Sequence, residues 1–176
     1  GNPVPGKAGT NFPEPGLVAE FSSSWEVTFD KSLRGPEDPV RMNPPEDWSQ
    51  SPDEKIKYYS GTAVYRNSFR SEFPGPDEKI CLNLGKVGIM AEVRINGHPA
   101  GGVWCSPWRV DITKFIKEGE NEVVVSVVNN WVNRLIGDSR LPENERKTWI
   151  NVNEIRPGDA LQPSGLLGEV IITKVK

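Results

Sequence analysis

The sequence has one histidine and two cysteines in 176 residues, and no apolar run near the roughly 18 residues that a membrane-spanning helix needs. Each shortage removes a class of function. With so little imidazole and thiol, a histidine–cysteine metal centre or a Cys–His nucleophile has almost nothing to be built from. Cys81 and Cys105 make neither a disulfide framework nor a zinc site, and they read as free structural residues; a bridge would require the fold to bring them together. Basic charge is not in excess either. Lys and Arg number 21 against 24 Asp and Glu, a net charge of -3, and the cations are scattered. Neither nucleic acid nor a membrane surface is an expected partner. No signal peptide opens the chain, and Gly1 before Asn2 reads as a remnant of tag removal.

What the chain does have is glycine (17) and proline (16), which interrupt it too often for long helices and suit short strands and turns. Its length fits one domain. Residues 1–16 are rich in Pro, Gly and Asn and read as a linker or arm, leaving 17–176 as the domain. Alternation of apolar and polar residues then marks strands: Trp25, Val27 and Phe29 share a face, as do Ala63, Tyr65 and Phe69, then Ile80, Leu82 and Leu84, then Ala91, Val93 and Ile95. Asn96-Gly97 predicts a two-residue hairpin into 100–104, with Gly101 and Gly102 letting the return strand bend. Trp108, Val110 and Ile112 line a further strand, and Asp111 offers capping chemistry for one turn after it. The valine-rich stretch 122–128 is apolar on both faces and predicts a strand covered on both sides, and 168–175 closes the set. Between them, 34–57 reads as a long irregular connection pinned by Val40 and Trp48. Many strands and no helix of any length predict an all-β sandwich or barrel.

The segments YSGTAVYRNSF, ICLNLG, AEVRINGHPAGGVW, PWRVDIT and GENEVVVSVVNNW stand in this order between Tyr59 and Trp131. Together they resemble the galactose-binding-like, jelly-roll sugar-binding domain that accompanies glycoside hydrolases of the β-galactosidase and β-glucuronidase type. Further on, NRLIGD, LPENERKTW and PSGLLGEV resemble more narrowly the C-terminal domain of family 106 α-L-rhamnosidases. The resemblance covers about two thirds of the chain. It implies a β-sandwich jelly roll whose partner is a catalytic domain in the same polypeptide, carrying the catalytic carboxylates. It also implies a bacterial protein of the periplasm or extracellular space that degrades polysaccharide.

The residues agree with a non-catalytic reading. His98 sits beside Pro99 at a hairpin tip with no nucleophile in a context to pair with it. Asp53, Glu54, Asp77 and Glu78 lie in proline-flanked polar loops, where charges are usually solvated. No cofactor is expected. A structural calcium ion has room in such a fold, although no acid-rich ligand loop stands out. Aromatic and guanidinium groups are the more informative set, because a pyranose stacks on an aromatic ring while Arg, Asn and Asp bond its hydroxyls. The candidates for carbohydrate binding or docking are Trp104, Arg109, Trp131, Asn133, Arg134, Asp138, Arg140 and Trp149. Trp104 and Trp108 could instead fill the core or its rim, and Arg134 and Asp138 could pair with one another across a loop. The polar stretch 130–149 reads as the functional loop. The expected function is thus an accessory domain, docking on or completing the catalytic domain of an α-L-rhamnosidase-like enzyme. An autonomous carbohydrate-binding module is the alternative, and a stand-alone hydrolase comes last.

Overall fold

Period-two alternation makes strands with one apolar face, and such faces must be paired off against each other to leave water. The computed structural model describes residues 16–21, 23–72, 74–75, 77–151 and 154–175, and in it this pairing takes the form of two antiparallel sheets. The strands are β1 (Gly16–Glu20), β2 (Trp25–Phe29), β3 (Val40–Met42), β4 (Thr62–Ser71), β5 (Lys79–Asn83), β6 (Met90–Ile95), β7 (His98–Val103), β8 (Arg109–Asp111), β9 (Gly119–Val128) and β10 (Ile171–Val175). Six run in the order β3-β2-β4-β9-β6-β7, and four in the order β1-β10-β5-β8. The expected all-β sandwich is therefore the observed fold. The linker expected at 1–16 lies outside the described residues except for Gly16, which opens β1.

The expected faces meet in one core. Val27, Ala63, Tyr65, Ala91, Ile95, Val123, Val125 and Val127 of the larger sheet join Leu82, Leu84, Ile112 and Ile172 of the smaller, all fully enclosed. Trp48 is drawn into the same core: it stacks on Tyr65 with ring centroids 6.4 Å apart and donates its Nε1 proton to the Tyr65 hydroxyl at 2.6 Å. Phe29 and Tyr59 meet it edge-on. Burial pushes the Tyr65 phenol well above its ordinary range, so the group stays neutral and can serve as both donor and acceptor.

Turn chemistry follows the residues closely. Asn96 and Gly97 both have positive φ, 51° and 80°, as a two-residue hairpin of this hand demands. Asn96 does more than turn the chain: its amide donates to the Phe115 carbonyl and to Asn121 Oδ1, and its oxygen accepts from the Glu122 amide. Asp111 accepts from the amide and hydroxyl of Thr113, which hold its carboxyl below the usual range.

Three expectations differ from the structure. β9 is enclosed on one face only; Val124, Ser126 and Val128 are half-buried, because their outer face is shielded by lateral neighbours such as Arg66 and Arg94, on either side of Val124. The 34–57 connection is partly regular, contributing β3 and a one-turn helix α1 (Glu54–Lys57) capped by the Asp53 carboxylate at the Lys55 amide. The stretch 130–149 carries a second helix, α2 (Val132–Ser139). No helix among the described residues is long and apolar enough to cross a membrane.

Candidate functional site

α2 closes one end of the sandwich, and the face it turns inward is polar. Asn133, Arg134, Gly137 and Asp138 are buried there, with Ile136 as the single apolar member. A buried polar group costs free energy unless its bonds are met, so this face works only if each atom finds a partner. Asn133 spends its amide protons on the Gln162 carbonyl and the Ser164 hydroxyl, and its oxygen on the Gln162 amide. Below it, Asn129 bonds the Tyr59 carbonyl, the Ser164 hydroxyl and the Gly61 amide, and the Ser60 hydroxyl accepts from the Arg134 amide. Segments distant in sequence are thereby tied to one helix.

Asp138 is the second anchor. One carboxylate oxygen accepts from the Lys147 amide and from the amide and hydroxyl of Thr148, each at 2.8 Å; the other lies 3.0 Å from Arg134 Nε. Burial alone would raise this carboxyl, yet the Thr148 hydroxyl, the two amides and the Arg134 guanidinium together hold it below the ordinary carboxylate range. Burial also draws the Arg134 guanidinium down, Arg34 adds to that, and Asp138 opposes both.

A second guanidinium arrives from the far side. Arg34, in the left-handed conformation (φ 65°) after the turn Lys31–Leu33, places Nη1 4.0 Å from Asp138 and donates to the Glu145 carbonyl. Arg140 lies over the Tyr58 ring, 5.4 Å from its centroid, donates to the Tyr58 hydroxyl and stands 3.7 Å from Glu54. Gly137 permits this crowding, since a Cβ there would sit 2.7 Å from both Arg134 Nη2 and Tyr58 Cβ.

Two cavities flank α2. One, of about 490 Å³, is lined by Leu135, Asp138, Glu143, Arg146, Thr148 and Trp149 among others. The other, of about 310 Å³, lies between α1 and α2 and is lined by Arg34, Lys55, Tyr58, Arg134 and Arg140, with Glu54.

The expected site residues thus divide. Asn133, Arg134, Asp138 and Arg140 gather on and just after α2, with Trp131 before it and Trp149 at the larger cavity. Trp131 and Trp149 are 52% and 82% exposed. Arg134 and Asp138 do pair, one helical turn apart. Trp104 and Arg109 stand elsewhere: Trp104 follows β7 and borders a shallow groove with Met90 and Gly102, while Arg109 is exposed on β8. Trp104 is 73% exposed and so belongs to the surface, whereas Trp108 packs partly buried against the core. Cys81 and Cys105 are both free. Arg34, Tyr58, Asn129 and Ser164 complete the site and were not singled out from sequence, because each lies outside the stretch that encodes α2.

The groups gathered here make hydrogen bonds and ion pairs. Among the described residues, no group of three or more His, Cys, Asp or Glu could hold a metal ion. The Asp30, Asp111 and Asp138 carboxyls are held below the ordinary range by bonds from neighbouring hydroxyls and amides.

The fold and this polar end define a β-sandwich module, and its likenesses are to segments of larger proteins. No protein-family model matches the chain. It is 38% identical over 185 residues to a protein of Formosa agariphila named as a β-glucuronidase, an alignment that covers 91% of this chain and 16% of that one. Among solved structures, a rhamnosidase from Novosphingobium sp. PP1Y superposes with a TM-score of 0.85 at 34% identity, covering 92% of this chain and 15% of that one. A β-glucuronidase from Ruminococcus gnavus in complex with D-glucuronic acid shares the fold, with a TM-score of 0.64 at 23% identity over 93% of this chain and 30% of that one. The chain therefore spans about a sixth of the length of the first two relatives.

Proposed function

We propose that this sandwich is a non-catalytic accessory domain, of the galactose-binding-like jelly-roll type, within a larger glycoside hydrolase of the α-L-rhamnosidase-like family 106 kind. It docks on or completes the catalytic domain of the same polypeptide, in the periplasm or outside the cell. The observation that carries this reading is the coverage: relatives named as glycoside hydrolases match nearly all of this chain with 15–16% of their own length. The site supports it, because α2 is fastened by bonds that order its outer surface and leave Trp131 and Trp149 projecting, as a docking face requires. The resemblance alone supports the cellular setting.

The exposed tryptophans also favour a second reading, an autonomous carbohydrate-binding module that stacks a sugar on Trp104, Trp131 or Trp149 with Arg109 or Arg140 nearby. One pair of assays on the 176-residue chain separates these readings from catalysis. Aryl α-rhamnosides and aryl β-glucuronides are expected to go unhydrolysed, and calorimetry with rhamnose-containing, galactose-containing and pectic oligosaccharides is expected to give no saturable heat. Turnover by the chain alone would overturn the accessory reading; saturable heat lost in a Trp131→Ala/Trp149→Ala variant would replace it with the second.

A further inference from the structure

We infer that the cavity between α1 and α2 is a binding site for the carboxylate of an acidic sugar, a uronate, with Arg134 as its central ligand. This goes beyond the docking reading and does not rest on it.

Arg134 presents unused donors to this cavity. Its side chain is 7% exposed and its Nε faces Asp138 as an ion pair at 3.0 Å, while Nη1 and Nη2, which carry no hydrogen bond to a described residue, are not among its fully buried atoms. A guanidinium is a planar fork of five donors, so its outer prongs are available to an acceptor that enters the cavity Arg134 lines. Both outer nitrogens belong to a residue that lines the cavity of about 310 Å³, at the lower end of the size range for small-molecule pockets. The bare Gly137 backbone leaves Nη2 its room.

The surroundings select the kind of acceptor. Arg34, Lys55 and Arg140 face the same space, so an anion gains from several cations at once. Arg34 and Arg140 are already positioned, one by the Glu145 carbonyl and one by the Tyr58 hydroxyl and ring. Glu54 stands at the exposed rim, its side chain 74% open to solvent. A carboxylate at the rim disfavours a compact dianion such as phosphate or sulfate. It suits a ligand that carries one negative charge inward and hydroxyl donors outward, which is the chemistry of a uronic acid residue.

The test uses the 176-residue chain with nitrogen-15 label at constant ionic strength. Methyl β-D-glucuronide, methyl β-D-galacturonide, the two corresponding neutral glycosides and sodium sulfate are titrated separately, following the Arg134 Nε–H resonance and the backbone amides of α2. A uronide is expected to shift these signals saturably while its neutral counterpart does not, and Arg134→Lys is expected to weaken binding about tenfold, the cost of losing a bidentate charged pair. Lys55→Ala and Arg34→Gln, which leave the Arg134–Asp138 pair in place, are expected to weaken it about threefold each, and they carry the test if Arg134→Lys fails to fold. No saturable shift with either uronide, equal shifts with the neutral glycosides, or sulfate binding as tight as uronide binding would each overturn the inference.

Discussion

The space between the sheets and the space beneath α2 are both closed to water, but they are filled on different terms. Between the sheets, valines, isoleucines and aromatic rings crowd together, with the Trp48–Tyr65 hydrogen bond as a rare polar contact inside. Beneath α2, Asn129, Asn133, Arg134, Asp138 and Ser164 are also buried and are held by directional bonds, except that Arg134 Nε and Asp138 Oδ1 meet as an ion pair. Apolar packing is non-directional and tolerates exchange of similar volumes. A buried polar network is costly wherever a member is left unsatisfied, and in return it fixes positions finely. The sandwich is thus built for stability in its middle and for placement at this end.

The largest effect should come from breaking the apolar side. Trp48→Ala would empty the centre of the aromatic cluster and leave the Tyr65 hydroxyl only its long 3.5 Å bond from the Leu166 amide, costing about 4 kcal/mol in urea unfolding. On the polar side, Asp138→Ala leaves Arg134 buried without its counter-ion and frees the 147–148 backbone, for a loss of about 3 kcal/mol. Replacing both partners, Arg134→Met with Asp138→Leu, should cost less than Asp138→Ala alone, which would mark the pair as serving position more than stability.

The same comparison has a pH signature. The Asp138 carboxyl is lowered in the folded state, so its contribution is full above the unfolded value of about 3.9 and is lost as pH falls through the lower folded value. Acid titration of the melting temperature should therefore show a drop below that value which is smaller in Asp138→Asn than in the parent chain. Among the described residues, the middle of the sandwich contributes no buried carboxylate of this kind.

How far each region could be read beforehand follows from the same contrast. Strands announce themselves through alternation because one face is apolar; Ala91, Val93 and Ile95 or Ile80, Leu82 and Leu84 can be read off directly. Asn96-Gly97 is as direct, since few other pairs accept two positive φ angles. α2 carries no such sign. Apart from Ile136 its buried face is Asn133, Arg134, Gly137 and Asp138, and the helical spacing of Val132, Leu135 and Ile136 spans too few residues to stand out from the polar stretch around it, so its sequence reads as a polar loop. α1 was hidden for a related reason: Asp53 lies in a proline-flanked acidic stretch and was read as a solvated charge, whereas it caps a turn. The site residues were recognisable by type within 130–149, but Arg34 and Tyr58 reach the cavity from connections whose course depends on the tertiary fold.

The smallest effect on stability should come from the surface of the polar end. Trp131→Ala and Trp149→Ala remove exposed rings and are expected to change unfolding free energy by no more than about 0.5 kcal/mol. Their effect on association should be large by comparison.

That asymmetry makes association the direct test of the accessory-domain account. The 176-residue chain and the remainder of its parent polypeptide, produced separately, would be mixed and followed by calorimetry and native mass spectrometry. A one-to-one complex that the Trp131→Ala/Trp149→Ala variant weakens about tenfold or more, with its own melting temperature unchanged, is the predicted result. Absence of any complex, or a complex indifferent to both tryptophans, would contradict the account.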